Sequence, residues 1–369
     1  MAEVVPVGFV ADLVADQKLL EWAGIGFGEI ESYRIMRSLK GLAKESGSSQ
    51  IRFFGKIFGT ERDYYVAEGV LDGGDEGGAE GEVTKPADQE ARGSGINKFV
   101  YWVTDSVLER WIKLPDLSPA ELNAARQVKV ILTGDLERPI FTNPFFFGRE
   151  KHYLRAQISR IIQSTTIVPK GIYKLVEDNN KEIEEDPGAE GEAKPVPTAL
   201  SQAKADNWVH YNQSILLNGR VSHIEPEGDD EGNLMKALLA ADPLEPRLKP
   251  INQDREVVIG GSGKHALKSP SWSVRLLGDT TEYFNPVKPS QKINNGVVVV
   301  RSLHWPGSYT LFQNGRTLNI YVGNAHKYEG GTAKAGYFPL FPPKVMEDPA
   351  EFKEQPEPTP LTLEVPVQA

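Results

Sequence analysis

Three acidic stretches rich in glycine or proline divide this 369-residue chain into parts that can bury a core and parts that cannot. From Leu71 to Gly95, the run Gly73-Gly74-Asp75-Glu76-Gly77-Gly78 opens a segment with almost nothing to bury, and 71–95 is expected to be a disordered acidic loop. Between 177 and 197, eight acidic side chains face only Lys181 and Lys194 ahead of Pro195 and Pro197, which reads as an acidic linker. Glu225 to Gly232 is a third acidic loop, and 338–369 reads as a proline-rich extended tail. The folded parts must be built from what remains: an N-terminal α+β region over 1–176, and a helix followed by a β-rich region over 198–337.

Composition narrows the partners. The chain carries 41 basic and 51 acidic residues, a net charge of −10, and no dense run of Lys and Arg, so nucleic acid is not expected to bind. Cysteine is absent, which excludes disulfides, thiolate catalysis and cysteine-ligated metal. No apolar run approaches the ~20 residues that cross a bilayer, so no membrane partner is expected. Met1 to Leu20 is mildly apolar but holds Glu3, Asp12 and Asp16 without a basic start, and does not read as a signal peptide. Asn212-Gln213-Ser214 fits a glycosylation acceptor and, with no secretory signal, reads as a chance match.

Local patterns alternate between the helical and the extended period. Gly28 to Lys44 predicts a helix, with Ile30, Tyr33, Leu39 and Leu42 near helical spacing and Glu29 and Glu31 in the first turn. Ile51–Phe58 and Asp63–Ala67 are aromatic and β-branched around Gly59-Thr60-Glu61-Arg62, which predicts a hairpin. Lys98–Val103 and Ile172–Val176 read as strands. Ser118-Pro119-Ala120-Glu121 combines an N-cap, a first-turn proline and a capping-box glutamate, predicting a helix to about Val130. His152–Ile162 fits either period, and Thr198–Leu217 reads as a helix with Trp208, Tyr211, Ile215 and Leu216 as its apolar stripe. Trp272–Leu276, Val297–Val300, Tyr309–Phe312 and Asn319–Val322 predict strands, the last two joined at Asn314-Gly315. The fold class expected is α+β: mostly antiparallel sheets, few helices and long acidic loops.

Residues that could carry chemistry fit poorly. Val258 to His265 runs from a strand into Gly260-Gly261-Ser262-Gly263-Lys264, suggesting a phosphate loop. Val258 stands where such a loop needs its first glycine, and His265 where it needs Ser or Thr to hold magnesium, so the stretch reads as a flexible turn. In Gly24-Ile25-Gly26-Phe27-Gly28 the third glycine comes one residue early for a dinucleotide fingerprint, and the segment reads as a bend into the helix. The histidines (152, 210, 223, 265, 304, 326) never pair at metal-ligand spacing. The carboxylates gather in linkers, where solvation opposes a raised pKa. No catalytic, cofactor-binding or metal-binding residue is assigned, and no cofactor is expected. The aromatics Phe53-Phe54, Tyr64-Tyr65, Phe145-Phe146-Phe147, Trp305 and Tyr309 divide between two readings: core packing, and anchors of a subunit interface.

Several blocks, in consistent order from Glu21 to Tyr328, resemble one family. They are Ser32-Tyr33-Arg34-Ile35, Arg52–Gly59, Asp63–Glu68, Asn97–Tyr101, Trp111-Ile112-Lys113-Leu114-Pro115, Thr133-Gly134-Asp135-Leu136, Tyr153–Ile161, Asn207–His210, Leu303–Tyr309, Tyr321-Val322-Gly323 and His326-Lys327-Tyr328. Together they are similar to the radial spoke head proteins of the 4/6 type, the radial spokehead-like family. The resemblance implies a non-enzymatic structural subunit of the spoke head in the motile ciliary or flagellar axoneme, in the cytoplasm and cytoskeleton. It would help pass mechanical signals between the central pair and the outer doublets to regulate dynein-driven motility. The partners implied are other radial spoke head subunits, the chain itself or a close paralogue in a dimer, and the central pair by transient contact. The short tail holding Pro356-Glu357-Pro358-Thr359-Pro360 departs from the strongly acidic C-terminal tail common in that family. Two other readings remain: a soluble nucleotide-using enzyme with a degenerate loop at 258–265, which nucleotide binding would favour, and an adaptor whose β-edge takes a peptide.

Overall fold

The computed structural model describes residues 9–70, 95–143, 145–175, 183–186, 188, 197–211, 248–260, 267–287 and 292–328. The stretches 71–94 and 225–232, most of 177–197, the turn at 261–266, Asn212-Gln213-Ser214 and the 338–369 tail lie outside the described residues.

In chain order the N-terminal elements are β1 (Phe9–Val10), α1 (Leu13–Trp22), α2 (Glu29–Ser46), β2 (Gln50–Ile57), β3 (Tyr64–Val70), β4 (Val100–Thr104) and β5 (Ile112–Lys113). Next come α3 (Pro119–Gln127), α4 (Glu150–Thr165), β6 (Ile167–Pro169), β7 (Tyr173–Leu175), β8 (Ile183–Glu185), α5 (Ala199–Gln202) and β9 (Trp208–His210). From Val257 onward the described elements are strands: β10 (Val257–Gly260), β11 (Leu267–Ser269), β12 (Trp272–Leu277), β13 (Tyr283–Phe284), β14 (Lys292–Ile293), β15 (Val297–Ser302), β16 (Ser308–Gln313) and β17 (Arg316–Gly323). The fold is α+β with mostly antiparallel pairing, as expected.

Nine strands form one sheet, in the order β12-β15-β16-β17-β2-β3-β4-β5, with β1 also beside β2. Antiparallel neighbours build each half, except that β1 runs parallel to β2. The halves meet where β17 runs parallel to β2, with Tyr321 opposite Gly55 and Gly323 opposite Ile57. Helices cover both faces. Ile51, Phe53, Tyr65 and Trp102 pack beneath Leu20, Ile35 and Leu39 of α1 and α2. On the reverse face Phe54, Tyr64, Val66 and Tyr101 pack against Leu122, Tyr153, Leu154 and Ile158 of α3 and α4. A strand buried on both faces has no polar side, which is why Phe53-Phe54 and Tyr64-Tyr65 stand as adjacent aromatic pairs. A third core gathers Trp208, Trp272, Val298, Val300 and Phe312.

The helices follow their caps. In α3, the Ser118 hydroxyl accepts the Glu121 N–H at 3.2 Å and Glu121 returns a bond to the Ser118 N–H at 3.0 Å, so the capping box forms, and the helix ends at Gln127. In α2, Gly28 occupies the N-cap and left-handed Gly47 ends the helix. Its buried face is Ile35, Leu39, Leu42 and Ala43, whereas Ile30 and Tyr33, placed in the apolar stripe by spacing, are exposed. The ambiguous 152–162 segment lies inside α4, with Tyr153, Leu154, Ile158 and Ile161 buried. Helix α1, not anticipated from the sequence, starts at Asp12, whose carboxylate accepts the Val14 and Ala15 N–H groups.

The expected helix over 198–217 is corrected. Among the described residues of this stretch only Ala199–Gln202 is α-helical, a 3-10 turn follows at Ala205–Asn207, and Trp208–His210 is a strand paired with β6. The Trp208 indole donates to the Gln202 carbonyl at 2.8 Å and packs edge-on against Phe312, and these contacts hold it in the third core. Of the proposed stripe, Ile215 and Leu216 lie outside the described residues. Inside the acidic 177–197 stretch, Ile183–Glu185 pairs with Tyr173–Leu175, and Lys174 meets Glu184 at 3.1 Å.

Gly55 sets the closest approach at the seam. Its φ is +152°, a bulge interrupts β2 between Phe53 and Gly55, and a Cβ there would lie 1.8 Å from the Tyr321 carbonyl oxygen. Gly55→Ala should therefore part the two halves and cost about 2–4 kcal/mol in urea unfolding. Gly41→Ala, in an exposed turn of α2 with nothing near its Cβ position, should instead stabilise by about 0.5–1 kcal/mol. Equal effects would refute the seam's role.

Just beyond β17, burial, reinforced by the charges of Lys129 and Arg160, pushes the His326 pKa down to about 4 from 6.5. The folded chain holds this imidazole neutral while the unfolded chain takes up a proton, so its contribution to stability is present above 6.5 and is lost as pH falls towards 4. On this account up to about 3 kcal/mol should disappear across that window. His326→Gln should flatten that part of a stability-versus-pH curve measured by urea midpoints; an unchanged slope would contradict the assignment.

Candidate interaction surface

The aromatic loop that precedes α4 is held from inside by one carboxylate. Glu150, the first residue of α4, is fully buried. Its Oε1 accepts from Thr133 N–H at 2.7 Å, Gly134 N–H at 2.9 Å and the Tyr64 hydroxyl at 2.8 Å. Its Oε2 accepts from the Thr133 hydroxyl at 2.8 Å and Arg138 Nε at 2.7 Å. Burial alone would raise the Glu150 pKa. The bonds from Gly134, Tyr64, Thr133 and Arg138 outweigh it and hold the carboxyl below its ordinary value. The same burial and the charge of Glu150 push the Tyr64 phenol far up, so it stays a donor. Outside this knot, Glu137 bridges Arg149 at 2.5 Å and Lys151 at 2.7 Å.

The knot ties the loop at its base, and Phe146 pins its middle, buried edge-on against Tyr153 at 5.6 Å. Its neighbours point the other way. Phe145 and Phe147 are 55% and 74% exposed, with rings in a T-shaped pair at 4.8 Å, and Phe141 is 85% exposed. Large rings kept in water on a clamped loop pay little ordering entropy when a partner covers them, which suits them as anchors of a protein contact.

The aromatic group named from the sequence therefore splits. Phe53, Phe54, Tyr64, Tyr65, Phe146 and Trp305 are core, Tyr309 is half-buried, and Phe145 and Phe147 form the surface. Phe141 was not singled out; it stands alone after Pro139-Ile140, and nothing local marks it as exposed.

The remaining candidates take structural places. His210 is buried and bonded through Nε2 to Asp254 at 2.8 Å, a carboxylate that also accepts the Trp272 indole at 2.6 Å and pairs with Lys249 at 3.1 Å. His152 accepts the Arg149 N–H at 3.1 Å, and His304 lies against the carbonyls of Arg255 and Tyr328. Among the described residues no group of three or more His, Cys, Asp and Glu could hold a metal ion, and no described helix is long and apolar enough to cross a membrane. Around 258–265, β10 pairs antiparallel with β11, whereas a phosphate loop leads from a strand into a helix. His223 and His265 lie outside the described residues.

The profile of the radial spokehead-like protein family matches residues 7–91 and 80–362. The chain is 30% identical to radial spoke head protein 6 homolog A of Mus musculus, over 98% of this chain and 55% of that protein. It is 32% identical to radial spoke head protein 4 homolog A of Homo sapiens, over 91% of this chain and 51% of that one. To flagellar radial spoke protein 4 of Chlamydomonas reinhardtii it is 27% identical, over 89% and 68%. The chain thus spans about half the length of its mammalian relatives. With the family profile running from residue 7 to residue 362, the chain belongs to the radial spokehead-like protein family.

Proposed function

We propose that this chain is a structural subunit of the radial spoke head in the axoneme of motile cilia or flagella. The observation that carries the reading is the family match along nearly the whole chain, with relatives named as radial spoke head and flagellar radial spoke proteins. The role is that of a scaffold. It requires no catalytic, cofactor or metal residue, and we assign none. A sheet packed on both faces resists deformation, which suits a part that passes mechanical contact between the central pair and the outer doublets and so regulates dynein-driven motion. The clamped surface of Phe141, Phe145 and Phe147 is the proposed contact with other head subunits. An isologous dimer, with itself or a close paralogue, is the simplest assembly such a surface supports, and contact with the central pair is transient.

The test replaces the chain in a ciliated cell lacking its own copy. The double variant Phe141→Ser, Phe147→Ser should keep its urea midpoint, since exposed substitutions usually change stability by less than about 0.5 kcal/mol. It should nevertheless lose co-elution with the other head subunits and leave spoke heads incomplete in tomograms. Glu150→Gln, which strips charge from the knot beneath the loop, should lose about 3 kcal/mol and assembly together. Normal assembly of the double variant would remove the aromatic surface from the proposal. A wild-type chain absent from axonemes would overturn the spoke-head role itself.

A further inference from the structure

One face of α4 lines a cleft of about 460 Å³ between the helix and the sheet. Arg155, Ser159, Ile162, Gln163 and Thr166 follow one another along this wall. From Arg155 to Thr166 the helix rises about 16 Å, room for roughly five residues of extended chain. The opposite wall includes Arg52, Glu68 and Tyr101, and beyond the helix the cleft reaches Tyr173 and Tyr211, whose ring centroids are 4.8 Å apart.

The charges along the cleft do not cancel. Two guanidiniums, Arg52 and Arg155, face one carboxylate, Glu68. Glu68 is already engaged, by Arg52 Nε at 2.6 Å and the Tyr101 hydroxyl at 2.8 Å. Arg52 also spends a donor on the Asn319 carbonyl at 3.2 Å. Arg155 is left with less. It is 2% exposed, lies over the Tyr101 ring at 4.6 Å, and donates through Nη2 to the Ile96 carbonyl at 2.9 Å and Asn97 Oδ1 at 3.4 Å. Its Nη1 has no hydrogen-bond partner among the described residues. An arginine stays charged under physiological conditions, and a desolvated cation with an unused donor is costly unless an acceptor completes it. Arg155 lies within Tyr153–Ile161, one of the blocks of the family resemblance, and nothing in the aromatic surface uses it.

We propose that this cleft binds an acidic segment of a partner protein. A Glu or Asp side chain closes on Arg155, and the apolar residues beside it lie against Ile162, Tyr173 and Tyr211. A carboxylate answers the unused Nη1 donor of Arg155, and the length of the groove beside α4 favours an extended peptide over a compact ligand. The inference does not rest on the spoke-head reading, and the purified chain suffices to test it.

The probe is a fluorescein-labelled heptapeptide, Glu-Glu-Leu-Glu-Leu-Glu-Glu, followed by anisotropy against the full chain. Saturable binding is expected, at least tenfold weaker for the same peptide with every Glu replaced by Gln. Arg155→Gln should weaken it at least tenfold. Because that change touches a buried group and can cost the fold, Gln163→Glu provides a second arm: it places a like charge in the groove at a half-buried helix position, and should weaken binding at least fivefold with the melting temperature kept. Lys268→Gln, on the β11 strand away from the cleft, should stay within twofold of wild type. No saturable binding, equal binding of the Gln peptide, or indifference to Gln163→Glu would overturn the proposal. Displacement by free glutamate at equal concentration would overturn it too, in favour of a small carboxylate.

Discussion

The pairing of Gly55–Ile57 with Tyr321–Gly323 is the contact on which the rest of the structure depends. It joins strands about 260 residues apart into one sheet, so that neither half ends in an open edge at its centre. Closing so long a loop costs entropy, but that cost grows only slowly with length, by about 0.6 kcal/mol for each doubling. Sequence can thus be inserted between the two halves at little thermodynamic expense, provided the seam itself is kept. This is how a chain interrupted by acidic stretches at 71–95, 177–197 and 225–232 can still build a continuous core. The demand falls instead on the few residues at the join: Gly55, whose missing side chain lets the Tyr321 carbonyl approach, and Tyr321, buried against Phe54 in a stacked pair at 6.3 Å.

How much of this was legible in the sequence depended on whether the deciding contact was local. The hairpin of β2 and β3, the strands β15 to β17 and the Asn314-Gly315 turn follow from aromatic and β-branched runs around turn residues. Helix α3 follows from a capping box contained in four residues. The segment 198–217 failed because its fate is set elsewhere: Phe312 and β6 draw Trp208 into a strand against a helical pattern. Helix α1 was missed although its start is local, since Asp12 ahead of Leu13 is an N-cap signal and the stretch was weighed only as a leader. Of the surface, Phe145-Phe146-Phe147 was visible as a group, but which rings face water was not. That choice is made by Tyr153, which takes Phe146 and leaves its neighbours outside. The Glu150 knot was illegible, because its donors come from residues 64, 133, 134 and 138.

Glu150 and Asp254 on one side, and Arg155 on the other, resolve buried charge differently. Glu150 and Asp254 each collect donors from several elements, so that a costly desolvation is offset by charge-assisted bonds that also fix geometry. Both carboxyls are held below their ordinary pKa although burial alone would raise them. Arg155 is as deeply buried, yet it keeps an unused donor beside a cleft. Burial lowers its pKa against the pull of Tyr101, Asp116, Glu68 and Glu121. The unused donor of Arg155 is the one that the proposed acidic peptide would complete.

Under the proposed scaffold role, load would have to pass from one surface to another, and the connections available to it can be followed atom by atom. A force on the exposed Phe145–Phe147 pair would reach the loop base at Arg149 and Glu150 along the backbone, and its onward route would be as follows. The Glu150 carboxylate passes it two ways: along α4, which it begins, and through the Tyr64 hydroxyl at 2.8 Å into β3. From β3 the ladder hands it to β2, and across the Gly55 seam to β17 and the C-terminal strands. The two side chains in series, those of Glu150 and Tyr64, are both buried and joined by a charge-assisted bond, and the remaining steps are paired strands. The shortest ladder on this route is the seam, with three residue pairs, Tyr321 with Gly55, Val322 with Lys56 and Gly323 with Ile57. Arg52 reinforces it by bridging β2 to the Asn319 carbonyl, and in doing so forms part of the wall of the cleft beside α4. A peptide seated in that cleft would lie beside the same join.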